Sequence, residues 1–215
     1  ETIRVRAEGV NIQRGIYRDF PNWYRGPWGL VSRTGFRVVR VLRDGQPEPF
    51  HTKEQENGVR VYMGRSDVQL SKGVHTYELT YATDRQLGYF ADHDELYWNV
   101  TGNGWSFGMD EVTATVELPS AVSITAVEAY TGRQGERGKD FRVDQPASNR
   151  VQFATTRPLH SREGLTVVVA WPKGHFAEPT RRDRWARMGA ENPGVGLALL
   201  GLFLVGLYYA LVWAA

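Results

Sequence analysis

The chain is predicted to be an all-β domain, an antiparallel β-sandwich of immunoglobulin-like or similar type, followed by a short amphipathic helix and one C-terminal transmembrane α-helix. Three observations predict it. About eleven short apolar stretches recur at roughly 8–15-residue spacing up to residue 171, with turn residues between them. Helical periodicity is nearly absent before residue 180. From Pro193 to Ala215 no residue carries a charge. As a helix rising about 1.5 Å per residue, that segment reaches roughly 34 Å, enough for a hydrocarbon core of about 30 Å. The expected division is 1–172 for the β-domain, 173–192 for a juxtamembrane linker and interfacial helix, and 193–215 for the span.

Taken in order, Thr2 to Arg6 alternates with Ile3 and Val5 on one face, and Val10 to Gln13 continues in short apolar steps. The stretch from Gly15 to Pro21 ends in a proline, which stops strand pairing. Asn22 to Leu30 is a loop rich in Gly and Pro that carries Trp23, Tyr24 and Trp28. Those aromatics either fold back on the core edge or form a contact surface for lipid headgroups or a partner. Phe36 to Leu42 reads as a strand, and Asp44-Gly45 as a turn. His75, Tyr77, Leu79 and Tyr81 alternate with polar residues, as a half-buried strand requires. Trp98 alternates with Leu96 and Val100 and is expected to face the core. Val112, Ala114, Val116 and Leu118 alternate up to Pro119, and Leu165 to Trp171 closes the domain.

After Trp171-Pro-Lys-Gly174 the character changes. Thr180 to Ala190 reads as a helix capped by Thr180, with Asp183 in the first turn where negative charge suits the dipole. Trp185 and Met188 share one face; Arg181, Arg184 and Arg187 recur on another. Such a helix, next to a span, belongs at the membrane interface. Trp185, Arg184 and Arg187 are expected to hold the near interface, and Tyr208, Tyr209 and Trp213 the far one. Gly206, Ala210 and Ala214, four apart, form a small-residue stripe suited to helix–helix packing in lipid.

The charge is balanced, with 26 Lys+Arg against 24 Asp+Glu and a net of +2. That gives no case for nucleic-acid binding, which needs a concentrated basic face. With no cysteine, disulfides, thiolate metal sites and Cys nucleophiles are excluded. The densest acidic cluster, Asp92, Asp94 and Glu95, is a weak candidate for Ca²⁺, or for acid–base work, against a solvated loop whose aspartates cap turns. Strand neighbours such as Asp94 and Glu95 point to opposite faces. The five histidines have no ligand spacing, and no nucleophile elbow, phosphate loop or His-Glu-x-x-His motif is present. No catalytic residue, cofactor or metal is expected. Asn99-Val-Thr101 matches a glycosylation sequon by pattern alone. The chain opens on Glu1 without an initiating Met, so a removed leader or a piece of a longer protein is expected.

Six segments occur in an order shared with a known family: Gly15-Ile-Tyr-Arg-Asp-Phe-Pro21, Tyr77-Glu-Leu-Thr-Tyr81, Asp92 to Gly102 with Trp105, Val116-Glu-Leu-Pro119, Trp171-Pro-Lys-Gly174 and Leu207 to Trp213. Together they resemble the bacterial YciQ-like predicted membrane proteins, a domain-of-unknown-function family, over essentially the whole chain. The resemblance implies a signal peptide, an extracytoplasmic β-domain, a transmembrane helix and a further cytoplasmic part with more spans. It carries no catalytic residues to transfer. The arginines before the span would by themselves place the β-domain in the cytoplasm, but large exported domains translocate largely regardless of charge. The resemblance therefore sets the expected location: the bacterial inner membrane, with the β-domain outside the cytoplasm. The expected role is a non-enzymatic accessory or scaffolding subunit contacting membrane lipid and other subunits of a membrane protein complex. The alternative is a tethered module binding carbohydrate, cell wall or calcium through the Trp23–Trp28 loop or Asp92–Glu95.

Overall fold

The computed structural model describes residues 1–26 and 29–214. Every strand pairing is antiparallel among the described residues. The first sheet runs β1 (Thr2–Ala7), β9 (Gly73–Thr83), β5 (Phe36–Arg43), β6 (Gln46–Pro47). A second contains β2 (Gly15–Pro21), β8 (Gly58–Gly64) and β7 (Phe50–Gln55). The two share one buried cluster, with Val41, Tyr77 and Leu79 from the first and Ile16, Phe20, Val61 and Met63 from the second. The period-two pattern of β9 does what the sequence requires: His75, Tyr77 and Leu79 are buried, and their neighbours are not.

The second half repeats the arrangement with different strands. One sheet runs β10 (Leu87–Tyr89), β11 (His93–Asn99), β16 (Gly164–Pro172), β13 (Ala126–Gly132); the other holds β12 (Thr113–Glu117), β15 (Arg150–Thr155) and β14 (Phe141–Ala147). Their shared core includes Val151, Phe153, Leu165, Val167, Val169 and Trp171, with Leu96, Trp98 and Val100 packed against it. The expected β-rich architecture is therefore present, but the stretch 1–172 forms two sheet pairs with two separate cores. The junction is only Asp84-Arg85-Gln86, between β9 and β10. It has none of the Pro, Gly or Ser enrichment that marks a linker, so composition gives no sign of it.

Arg18 of β2 ties the two halves. It is 6% exposed and donates to both carboxylate oxygens of Glu1, at 3.0 and 3.1 Å, and to the carbonyls of Asp19 and Val100, both at 2.9 Å. Gly102 makes room for it: with φ +70, a Cβ there would meet the Arg18 guanidinium at 2.9 Å. Tyr81 and Trp98 stack across the same junction, 6.5 Å between centroids.

A small hairpin, β3 (Trp23–Arg25) and β4 (Val31–Arg33), stands apart from both sheet pairs. Two helices end the chain, α1 (Arg181–Glu191) and α2 (Pro193–Ala214). The first begins with the expected capping box: Thr180 Oγ1 accepts from the Asp183 N–H, and the Asp183 carboxylate accepts from the Thr180 N–H. Asn192 interrupts the helical run, at φ −132 and ψ 62. α2 is long and apolar enough to cross a membrane and buries none of its residues.

Candidate functional site

The three acidic candidates do not converge. Asp94 is 1% exposed, and the Lys173 ammonium donates to it at 3.1 Å. Asp92 is exposed and bonds His93 Nδ1 at 2.8 Å; Glu95 lies 3.6 Å from His93 Nε2. The adjacent His93 side chain draws the Asp92 carboxyl below its usual range. Period-two geometry separates the members: the strand that carries Asp94 to one side carries His93 and Glu95 to the other. No cluster of three metal-ligating side chains occurs among the described residues.

What Asp94 does instead is join two of the segments singled out in the sequence. Lys173, in Trp171-Pro-Lys-Gly174, also donates to the Phe90 carbonyl at 2.5 Å. It thereby anchors the chain leaving β16 onto the start of β11. Phe176 then meets Trp171 edge-on at 5.3 Å, and the Tyr89 hydroxyl donates to the Ala177 carbonyl at 3.1 Å. The start of the stretch expected as juxtamembrane linker and interfacial helix, 173–192, is thus fastened to the second sheet pair.

The same holds further on. Arg85 donates to Glu191 at 2.7 Å and to Asp84 at 3.1 Å. Asp84 in turn accepts from the Gly35 N–H at 2.6 Å, which lowers its pKa. Asn192 pairs with Val31 as a neighbouring strand would: its Oδ1 accepts from the Val31 N–H at 2.7 Å, and its Nδ2 donates to the Val31 carbonyl at 2.9 Å. That Nδ2 also donates to the Met188 carbonyl at 3.0 Å, helping to end α1. The β3–β4 hairpin is therefore bonded to the residue immediately before α2.

Among the aromatic candidates, Trp23 is half-buried, with the Arg33 guanidinium 3.6 Å from its ring centroid. Tyr24 is exposed, and its hydroxyl donates to the Pro21 carbonyl at 3.1 Å. Trp28 lies outside the described residues. Trp185 is 68% exposed on α1, and Tyr208, Tyr209 and Trp213 are exposed toward the end of α2. Gly206, Ala210 and Ala214 are exposed along α2, with open space around Gly206.

Beside α1 a groove of about 470 Å³ is lined by Arg85, Leu87, Tyr89, Pro179, Arg184 and Arg187. Arg184 also pairs with Glu178. Sequence reading found Arg184 and Arg187 on α1 but not Arg85, Glu191, Asn192, Lys173 or Arg18. The one local signal is Asn192, a polar residue placed between a helical pattern and Pro193.

Residues 1–171 match the family described as predicted membrane protein (DUF2207) N-terminal domain. The chain is similar to the uncharacterized protein YciQ of Escherichia coli (strain K12), 28% identical over 174 residues, or 80% of this chain and 27% of that protein. It thus spans about a quarter of the length of the curated relative it matches. No solved structure matches it.

Proposed function

The chain belongs to the DUF2207 family of predicted membrane proteins, and we propose that it works there as a non-enzymatic accessory or scaffolding subunit whose β-region contacts other subunits of a membrane protein complex. In this reading the membrane is the bacterial inner membrane, and the β-region lies on its periplasmic side. The complex is a respiratory, photosynthetic or transport assembly.

One observation carries the reading. The β-region is fastened at two places to the segment that leads into the span. Asn192 bonds the hairpin that follows β2, and Lys173 and Tyr89 hold the exit of the second pair. A binding module on a tether needs only a flexible linker. A subunit that presents its surface at fixed height and angle gains from a rigid one, because little orientational freedom is left to lose on docking. The strands available for contact are β7, exposed along most of its length, and β14, also largely exposed.

Native-gel analysis after mild detergent extraction of membranes tests the role. A discrete species above the monomer mass is expected, with a reproducible set of co-purifying proteins. A protein that runs at its monomer mass under every mild extraction condition would overturn the proposal.

A further inference from the structure

The groove between β10 and α1 has the chemistry of a phosphate site placed at a membrane. Three guanidiniums line it, from Arg85, Arg184 and Arg187, and among the described residues no carboxylate does. Arg85 spends Nε on Asp84 and Nη1 on Glu191; Arg184 spends Nη2 on Glu178. Each keeps further N–H donors, since a guanidinium carries five. Arg187 pairs with no acceptor among the described residues, although its charge helps lower the pKa of Asp84 and Asp183. Planar guanidinium forks match phosphate oxygens in pairs, so such a set prefers phosphate to a smaller anion.

The rest of the lining is apolar or aromatic: Leu87, Tyr89, Ala177 and Pro179. A free phosphate has no use for those surfaces, whereas a glycerol backbone and the first acyl carbons do. Position agrees with this. Arg187 lies five residues before Asn192, about 8 Å along a helix, and α2 starts at Pro193. The headgroup layer on each side of the hydrocarbon core is roughly 5–8 Å deep.

We propose that this groove binds the phosphate headgroup of an anionic phospholipid, with Arg187 and Arg184 as the principal donors and Leu87 and Tyr89 against the glycerol region. The bound lipid lies beside α1, between the second sheet pair and the span. This differs from general attraction of a basic helix to a charged surface, because Arg181 and Arg182 belong to the same helix but do not line the groove.

Native mass spectrometry of the whole chain, span included, released from detergent reads the site directly. With added phosphatidylglycerol, one lipid is expected to be retained in preference to phosphatidylcholine. Arg187→Gln should weaken retention about fivefold, the worth of one arginine at a charged headgroup, and the Arg184→Gln, Arg187→Gln pair by more than about tenfold. The Arg181→Gln, Arg182→Gln pair should change it by less than about twofold if the groove is the site. An equal loss in both pairs would overturn the proposal in favour of diffuse attraction. Equal retention of phosphatidylcholine, or displacement of the lipid by millimolar inorganic phosphate, would overturn it as well.

Discussion

His75 is buried at the start of β9, and both its ring nitrogens face acceptors: Asp44 Oδ2 at 2.8 Å and the Ser71 carbonyl at 2.9 Å. Only the imidazolium donates to both. The Ser71 carbonyl, and then the Asp44 carboxylate, raise the His75 pKa, while the His75 bond lowers that of Asp44. The folded state therefore holds the histidine proton more tightly than the unfolded chain. Its contribution to stability is complete below about pH 6.5 and is lost as pH rises through the higher folded value. Asp44 acts in the other direction, contributing above its ordinary 3.8 and losing that as pH falls through its lowered value. Urea unfolding of the solubilised chain should show lower stability at about pH 8.5 than at pH 5.5, and His75→Gln should flatten that difference. An unchanged slope in the variant would remove His75 as its source. The second case is Asp94. Lys173→Met leaves a carboxylate that is 1% exposed without its cation. The cost should be about 2–3 kcal/mol, reduced from the fully buried range because Lys173 itself is 36% exposed. Adding Asp94→Leu should recover part of it, since the unpaired charge is then gone. A Lys173→Met loss below about 0.5 kcal/mol would mean that water already solvates Asp94.

At the scale of elements, the hairpin β3–β4 is where local and distant information part. Its residues read as a loop because Gly and Pro interrupt them, and the short strands exist because Val31 pairs on both sides, with Arg25 and with the Asn192 amide. Asn192→Ala removes three side-chain hydrogen bonds, each worth about 1 kcal/mol net. The amide of Val31 should then exchange at least about tenfold faster while amides of β16 stay protected. Equal exchange at Val31 in both proteins would show that the hairpin holds without the helix junction. In the proposed membrane placement, the same bond brings β4, beside the first residue of α2, near the headgroups. The chain has no cysteine, so Ser32→Cys takes a single environment-sensitive dye. Its emission in vesicles should shift to the blue relative to the same dye at Ser120→Cys. Identical spectra would place the hairpin in bulk water.

For the whole molecule, Arg18 decides whether the two cores behave as one unit. Its guanidinium is a buried link between them, and the Val100 carbonyl it serves lies 82 residues away. Arg18→Met should separate one unfolding transition into two, with the 1–83 half unfolding first because it also loses the Glu1 contacts. A single shifted transition would show that other contacts hold the halves together. In the membrane, Gly206→Leu with Ala210→Leu should loosen the protein from its proposed complex while leaving it membrane-bound. Wild-type co-purification would make α2 a tether only. The sequence by itself determined the β-rich class, the faces of β9, β11 and β12, the Thr180–Asp183 cap and the span, because each depends on spacing within a few residues. Alternation, capping and an uncharged run need no distant partner to be recognised. Only the tertiary structure decided that 1–172 forms two cores, that Asp94 pairs with Lys173, and that Arg85, Asn192 and Val31 meet at the head of the span. Those contacts join positions 79, 106 and 161 residues apart. At such separations nothing local biases the pairing: one polar side chain can satisfy a given backbone group as well as another, and only the packed sheets select which of them arrives.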